Sequence, residues 1–491
     1  MAPRAPQIKK LITEINTQFY SFKKSQDILL NNTAFANPNA DNKKKKDSLN
    51  KKCEEISKSR LLPIVIGTKN SRFLLQAFPS YEKFRRKKEK GEERTVCGIV
   101  SEYGEYTIST DLYIGVINLG NGLQLEIQTG YSNILLQRML RYCLGYYADT
   151  NISDSASSSH SIYALMTQFM FLDSLKKVFT IAIPKKYNYI KDRSYNIRGN
   201  IDIQNFVARD LIAFDKKISY IYPQRVEIKP IIDVLHEAIK KCIIDGVGEL
   251  SPDAKSYELQ LKSLSSGRKP SKTTVNNILK EKCLNNSLYD AYKRPLQLAQ
   301  MLLKDEDLDY SEDSNRPGTG SQLIDASFLW ELYLYNLMKL NLNDNWEISA
   351  QSEIHLYENA FFSKTNYPDF VLKNSSNGDI YILDAKFKKM NFKPEDVDNK
   401  DLQQLHSYSY YYYLQYGDRF KGAGLIYPSK EDSPANTERC RSILGLEDSS
   451  ARFCIFSIKD VDVLKSENIE ELRQNEQIFI DDLESFIEPN N

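Results

Sequence analysis

The feature that most constrains this chain is a pair of apolar runs hinged on a polar turn: Tyr367-Pro368-Asp369-Phe370-Val371-Leu372, then Lys373 to Asp379, then Ile380 to Phe387 (IYILDAKF). Runs rich in β-branched and aromatic residues on either side of Asn377-Gly378 predict a β-hairpin. Strand side chains alternate, so Asp384 and Lys386 share one face while Leu383, Ala385 and Phe387 share the other. Ala385 leaves room for a helix to pack close. Pairing about the turn brings Asp369 near Asp384, setting two carboxylates and an amine at the open end of a sheet. Adjacent carboxylates repel, and desolvated charges need partners. A hard divalent cation resolves both problems, and oxygen-only ligands (Asp369, Asp384 and the Ala385 backbone carbonyl) favour Mg²⁺, with Mn²⁺ able to substitute. Such a cation polarises a phosphodiester and activates water, while Lys386 stabilises developing charge.

A bare Asp-x-Lys is usually an ordinary ion pair on a strand surface. Here Pro-Asp opens one strand and Asp-Ala-Lys follows four hydrophobic residues in the other. The combination resembles the P-D…(D/E)-x-K signature of the restriction-endonuclease-like nuclease superfamily.

The flanking segments extend this pattern. Helix 323–340 (LIDASFLWELYLYNLMKL) carries Glu331 on an apolar background, where it is either functional or on an exposed edge. Downstream, the DLQQLHSY segment from Asp401 predicts a helix that places Gln404 and Tyr408 on one face. That face bears either on the cation site and the DNA backbone or simply on helix packing. Strands at Gly424–Tyr427 and Phe453–Ile458 extend the sheet.

The rest of the chain supplies the surroundings. With 66 Lys and Arg against 65 Asp and Glu, the 491 residues carry a formal charge of +1, which argues against a generally basic nucleic-acid coat. The length suggests about three domains. Residues 7–30 show near-helical apolar spacing. The lysine-rich stretch 38–60 reads as a linker or solvated helix, and the cluster Lys83–Lys90 as a solvated face rather than a DNA-binding one. From Val96 short alternating runs, a Gly120-Asn121-Gly122 turn and a helix capped by Ser132 predict a small β-rich module closed by a helix. Further helices are predicted over 161–180 and 230–243, the second with Pro230 in its first turn. A polar Pro/Gly/Ser stretch over 311–321 marks a boundary. The predicted domains are therefore 1–95, 96–310 and 321–491, in an α+β or α/β multidomain arrangement. Its N-terminal region is β-rich and helical, and its C-terminal mixed sheet is flanked by helices.

Seven scattered cysteines without CxxC spacing and four histidines without metal-ligand spacing predict neither a disulfide framework nor a zinc or histidine site. No phosphate loop or dinucleotide fingerprint occurs in the sequence, so no nucleotide is expected to bind through such a motif. No stretch has the roughly 18 consecutive apolar residues of a membrane span, and a cytoplasmic, nucleoid-associated location is expected.

Several segments together resemble the McrC family, the nuclease subunits of McrBC-type and LlaJI-type restriction systems. They are Asn133–Tyr147 (NILLQRMLRYCLGYY), Arg198-Gly199-Asn200-Ile201-Asp202, the LWELYLY helix, PDFVL, ILDAKFKK, DLQQLHSY and GLIYP. The resemblance runs from about Val96 to the C-terminus and is strongest over 323–428. It implies that Asp369, Asp384 and Lys386 are catalytic, that Glu331 matches an acid found in many members, and that Gln404 and Tyr408 match the Q-L-x-x-Y following the core. It also implies double-stranded DNA as substrate, and a hexameric AAA+ GTPase, McrB-like, whose pore receives an N-terminal finger and whose hydrolysis is stimulated. Arg198 is a candidate for that stimulation, or a turn-stabilising arginine. Two departures stand out: the first 95 residues have no counterpart, and Lys229-Pro230 stands where relatives commonly continue Asn-rich into the helix. A non-catalytic plug of a AAA+ ring and a stand-alone resolvase-like nuclease are the alternatives.

Overall fold

The computed structural model describes residues 95–143 apart from 103–104 and 121–122, 162–304 apart from 214 and 246–251, and then 322–356, 361, 364–443, 450–461 and 469–488. In the first 94 residues it describes four short strands. The lysine-rich stretch 38–60, the Lys83–Lys90 cluster, the 311–321 boundary and the Asn121-Gly122 turn lie outside the described residues.

The chain divides into two compact units, one formed by Met1–Tyr163 with Asp309–Asn491 and the other by Ala164–Leu308. These units are drawn differently from the predicted segments 1–95, 96–310 and 321–491. The β-rich module belongs with the C-terminal sheet rather than with 164–308, and the join is a β-ladder: strand Gln322–Asp325 pairs antiparallel with Tyr113–Gly120. The apolar periodicity predicted as a helix over 323–340 hid that strand, because its four residues run straight into a helix.

In the first unit, α1 (Ala326–Asn341) is capped by Asp325, whose side chain accepts from the Ser327 and Phe328 amides. A six-stranded mixed sheet follows in the order β1-β2-β3-β4-β6-β5. Its strands are β1 (Trp346–Ala350), β2 (Phe370–Asn374), β3 (Ile380–Ala385), β4 (Phe420–Ser429), β5 (Cys440–Ser442) and β6 (Arg452–Lys459). β3, β4 and β6 run parallel, while β1, β2 and β5 are antiparallel to their neighbours. Helix α2 (Asn399–Tyr416) covers one face, where Leu405, Tyr408 and Tyr412 pack with Ile380, Ile382, Ala423 and Leu425. Helix α3 (Ile469–Ile487) covers the other, with Phe479 and Phe486 against Phe456. Gly424 is required there, because a Cβ would come within 2.7 Å of the Phe456 ring.

The β-rich module matches the prediction in outline. Strands Thr95–Glu102, Glu105–Thr110, Tyr113–Gly120 and Leu123–Gln128 lead into helix Asn133–Cys143. Ser132 Oγ accepts from the Leu135 amide, as a helix cap should. The predicted helix over 7–30 is not found at its start: Lys9–Glu14 is a strand paired parallel with Leu123–Gln128. Leu11, Ile12 and Thr13 suit a pleated surface as well as a helix face, and the available sheet edge decides between them. Cys440 and Cys454 are bonded across β5 and β6, a cross-strand bridge that scattered cysteine spacing did not foretell.

The second unit contains a long hairpin, Lys185–Ser194 with Ile218–Glu227, whose first strand is largely exposed, and helices Ile162–Val178, Lys229–Ile244 and Asp290–Lys304. Pro230 sits in the first turn of its helix, where no amide donor is needed. No helix among the described residues is long and apolar enough to cross a membrane.

Candidate active site

The hairpin turns as predicted, with Gly378 at φ +77°. The register pairs Phe370 with Leu383, so the next position outward sets Asp369 beside Asp384. Both carboxylates are almost fully buried, at 2% and 1% exposure. The Ala385 amide donates to Asp369 Oδ2 at 2.8 Å, which locks that carboxylate across the ladder. The observed strands are shorter than predicted: β3 ends at Ala385, and the Lys386 amide donates instead to the Ile426 carbonyl of β4.

Lys386 lies on the face of Asp384, and its Nζ pairs with Asp384 Oδ2. The same Nζ donates to Gln404 Oε1 at 3.0 Å. Burial pulls the ammonium's pKa down, but Asp384, Asp369 and Asp401 together hold it above its ordinary value. Gln404 in turn donates to the Tyr408 hydroxyl at 2.6 Å, and that hydroxyl donates to the Tyr367 carbonyl at 3.3 Å. Tyr408 is therefore buried at 3% exposure, and burial pushes its phenol up to about 12. The predicted DNA-contact position is occupied by a residue that braces Gln404 from inside. The i, i+4 spacing correctly put the two residues on one face, yet spacing alone does not say whether that face is covered.

Glu331 on α1 is buried at 5% exposure, which removes the exposed-edge reading. Between it and Asp369 stands Gln351, a residue outside every predicted motif. Its amide nitrogen lies 3.0 Å from Glu331 Oε2 and 3.0 Å from Asp369 Oδ1. No pattern in the sequence marks it, because it sits in the short link after β1, brought in only by the fold. Asp401, in the first turn of α2, pairs with Lys388 at 2.7 Å and lies 3.9 Å from Lys386.

Among the described residues no group of three or more His, Cys, Asp or Glu side chains is gathered closely enough to hold a metal by side chains alone. The pair Asp369 and Asp384 remains, with the backbone of Ala385 beside it. That donor set is entirely oxygen, and its burial disfavours ionised carboxylates without positive charge nearby, so its chemistry fits a hard divalent cation.

In the second unit, Arg198 is exposed in the turn leading to strand Asn200–Ile201, and it makes no ion pair among the described residues. The neighbouring Gly199 has φ +77°, and a Cβ there would meet the Ile221 carbonyl at 2.5 Å. Asp202 caps the short helix that follows and pairs with Lys191 at 3.0 Å. Around this hairpin Tyr189, Ile203 and Ile212 are 75%, 72% and 80% exposed.

The family model described as McrBC 5-methylcytosine restriction system component matches residues 108–428, well over half of the chain. No match is found among curated proteins. Among solved structures, the chain is similar to one from a half-complex of a tetradecameric assembly of Thermococcus gammatolerans McrB AAA+ hexamers with bound McrC. Identity is 13%, coverage 97% of this chain and 100% of that one, and the TM-score 0.43. A second match, to a cryo-EM structure of the Thermococcus gammatolerans McrBC complex, has 14% identity, covers 68% of this chain and 89% of that one, and has a TM-score of 0.26.

Proposed function

Because the chain belongs to the McrBC 5-methylcytosine restriction system component family, we propose that it is the DNA-cleaving subunit of such a system, hydrolysing phosphodiesters with Mg²⁺ and working with a McrB-like hexameric AAA+ GTPase. The observation that carries this reading is the buried juxtaposition of Asp369, Asp384 and Lys386 at one end of the mixed sheet.

Asp369, Asp384 and the Ala385 carbonyl are the groups that would hold the cation, which supplies charge to polarise a phosphodiester and acidify water. Lys386, braced between Asp384 and Gln404, would stabilise charge developing on the phosphate in the transition state. Tyr408 holds Gln404 and thereby fixes the ammonium rather than touching substrate. Mn²⁺ is expected to replace Mg²⁺, since both accept oxygen ligands.

The partner reading rests on the second unit. Exposed apolar side chains at Tyr189, Ile203 and Ile212 are the kind of surface that a partner covers. Arg198, exposed in the same hairpin region, is the proposed contact that stimulates GTP hydrolysis. A near-neutral chain has little excess charge to displace counterions from DNA, which suits a subunit whose partner holds the duplex. The reading is tested by Asp384→Ala combined with Lys386→Ala in the reconstituted complex. Cleavage is expected to fall by at least about a thousandfold, comparable to the loss of one strong electrostatic contributor; full cleavage by the double variant would refute the assignment.

A further inference from the structure

We infer that Gln351 is a positioning residue of the nuclease site, one that aims the Asp369 carboxylate and makes Glu331 act on the cation through Gln351 and water rather than as a direct ligand. The inference rests on the nuclease reading above and specifies how its site is held.

Three observations carry it. The backbone of Gln351 has φ +53°, a left-handed conformation that side chains with a Cβ rarely adopt. Such a conformation persists where the surroundings over-determine it, and here its amide N–H donates to the Asp369 carbonyl at 3.1 Å. The side-chain amide then donates to both carboxylates, at 3.0 Å each. With Asp369 Oδ2 already taking the Ala385 amide and Oδ1 taking Gln351, rotation of that carboxylate is blocked from both sides.

The orientation of the amide follows from its neighbours. Two carboxylate oxygens face one end of the group, and only the NH₂ end can donate to both. The Oε1 atom is then the other end. It is buried, and no donor among the described residues reaches it. A buried acceptor left over beside a carboxylate pair suits an ordered water, and Mg²⁺ characteristically retains several of its own. Glu331, separated from Asp369 by the amide, is thereby an outer-shell acid. Its contribution passes through Gln351.

The test is Mn²⁺ binding by the full-length chain, followed calorimetrically, for wild type, Gln351→Gly, Gln351→Met and Asp384→Asn. Gln351→Gly deletes the amide and frees the strained backbone, while Gln351→Met deletes the amide and keeps the side-chain length. Both are expected to weaken Mn²⁺ binding about 10- to 100-fold, the usual effect of losing an outer-shell partner. Gln351→Gly should melt no lower than wild type, so that affinity and stability separate, and its cleavage in the complex should recover at raised Mg²⁺. A purely structural role would lower the melting temperature and leave the Mg²⁺ dependence unchanged. Wild-type Mn²⁺ affinity in the Gln351 variants, with binding lost in Asp384→Asn, would overturn this inference and leave the nuclease reading standing. A wild-type chain that binds no Mn²⁺ would overturn both.

Discussion

Asp460 and Ser132 show how single residues tie the β-rich module to the sheet. The Ser132 amide donates to Asp460 Oδ2 and its hydroxyl to Oδ1, so the carboxylate sits at the start of helix Asn133–Cys143. Burial raises the Asp460 pKa, and the Ser132 donors offset only part of that. A raised folded-state pKa means that the folded chain holds this proton more tightly than the unfolded one. Its stabilising contribution is complete below the ordinary carboxylate range and is lost as pH rises through the raised value. In Asp460→Asn the site no longer titrates. The melting temperature of wild type should therefore fall relative to this variant as pH climbs from the carboxylate range, and parallel curves would disprove the account. Gly199 is the second such residue. Alanine there meets both a left-handed φ and the Ile221 carbonyl, so Gly199→Ala should destabilise the second unit by more than about 1 kcal/mol, read as a lower urea midpoint. The Arg-Gly-Asn-Ile-Asp segment stood out in the sequence; the need for its glycine, set by a neighbouring strand's carbonyl, did not.

Among the elements, the hairpin was the most legible. Alternation and an Asn-Gly turn are local signals, and they correctly joined Asp369, Asp384 and Lys386. Gln351 was invisible because its role depends on where β1 ends relative to α1, a relation that no local pattern encodes. The strand at Lys9–Glu14 went unread for a similar reason, since a free sheet edge decided its conformation. Helix packing shows the same dependence on distant partners. Glu476 of α3 accepts from Arg138 at 2.7 Å and from the Tyr333 hydroxyl at 2.6 Å, joining three helices through a buried ion pair. Removing one partner of such a pair strands the other, so Glu476→Ala should cost about 3–5 kcal/mol in chemical denaturation. Glu476→Gln, which keeps an acceptor, should cost less.

For the whole molecule, the division into units changes how catalysis and partner stimulation can be separated. Truncation after residue 310 would cut the first unit in two, because residues 309–491 and 1–163 form it together. Point substitutions are the cleaner tool, and the two proposed roles fall in different units: Lys386 and Asp384 in the first, Arg198 in the second. The most direct measurement of the central claim is GTP hydrolysis and DNA cleavage followed in parallel on one reconstituted complex carrying Asp384→Ala. The account predicts that cleavage disappears while stimulation of the GTPase is retained; undiminished cleavage by that complex would contradict it.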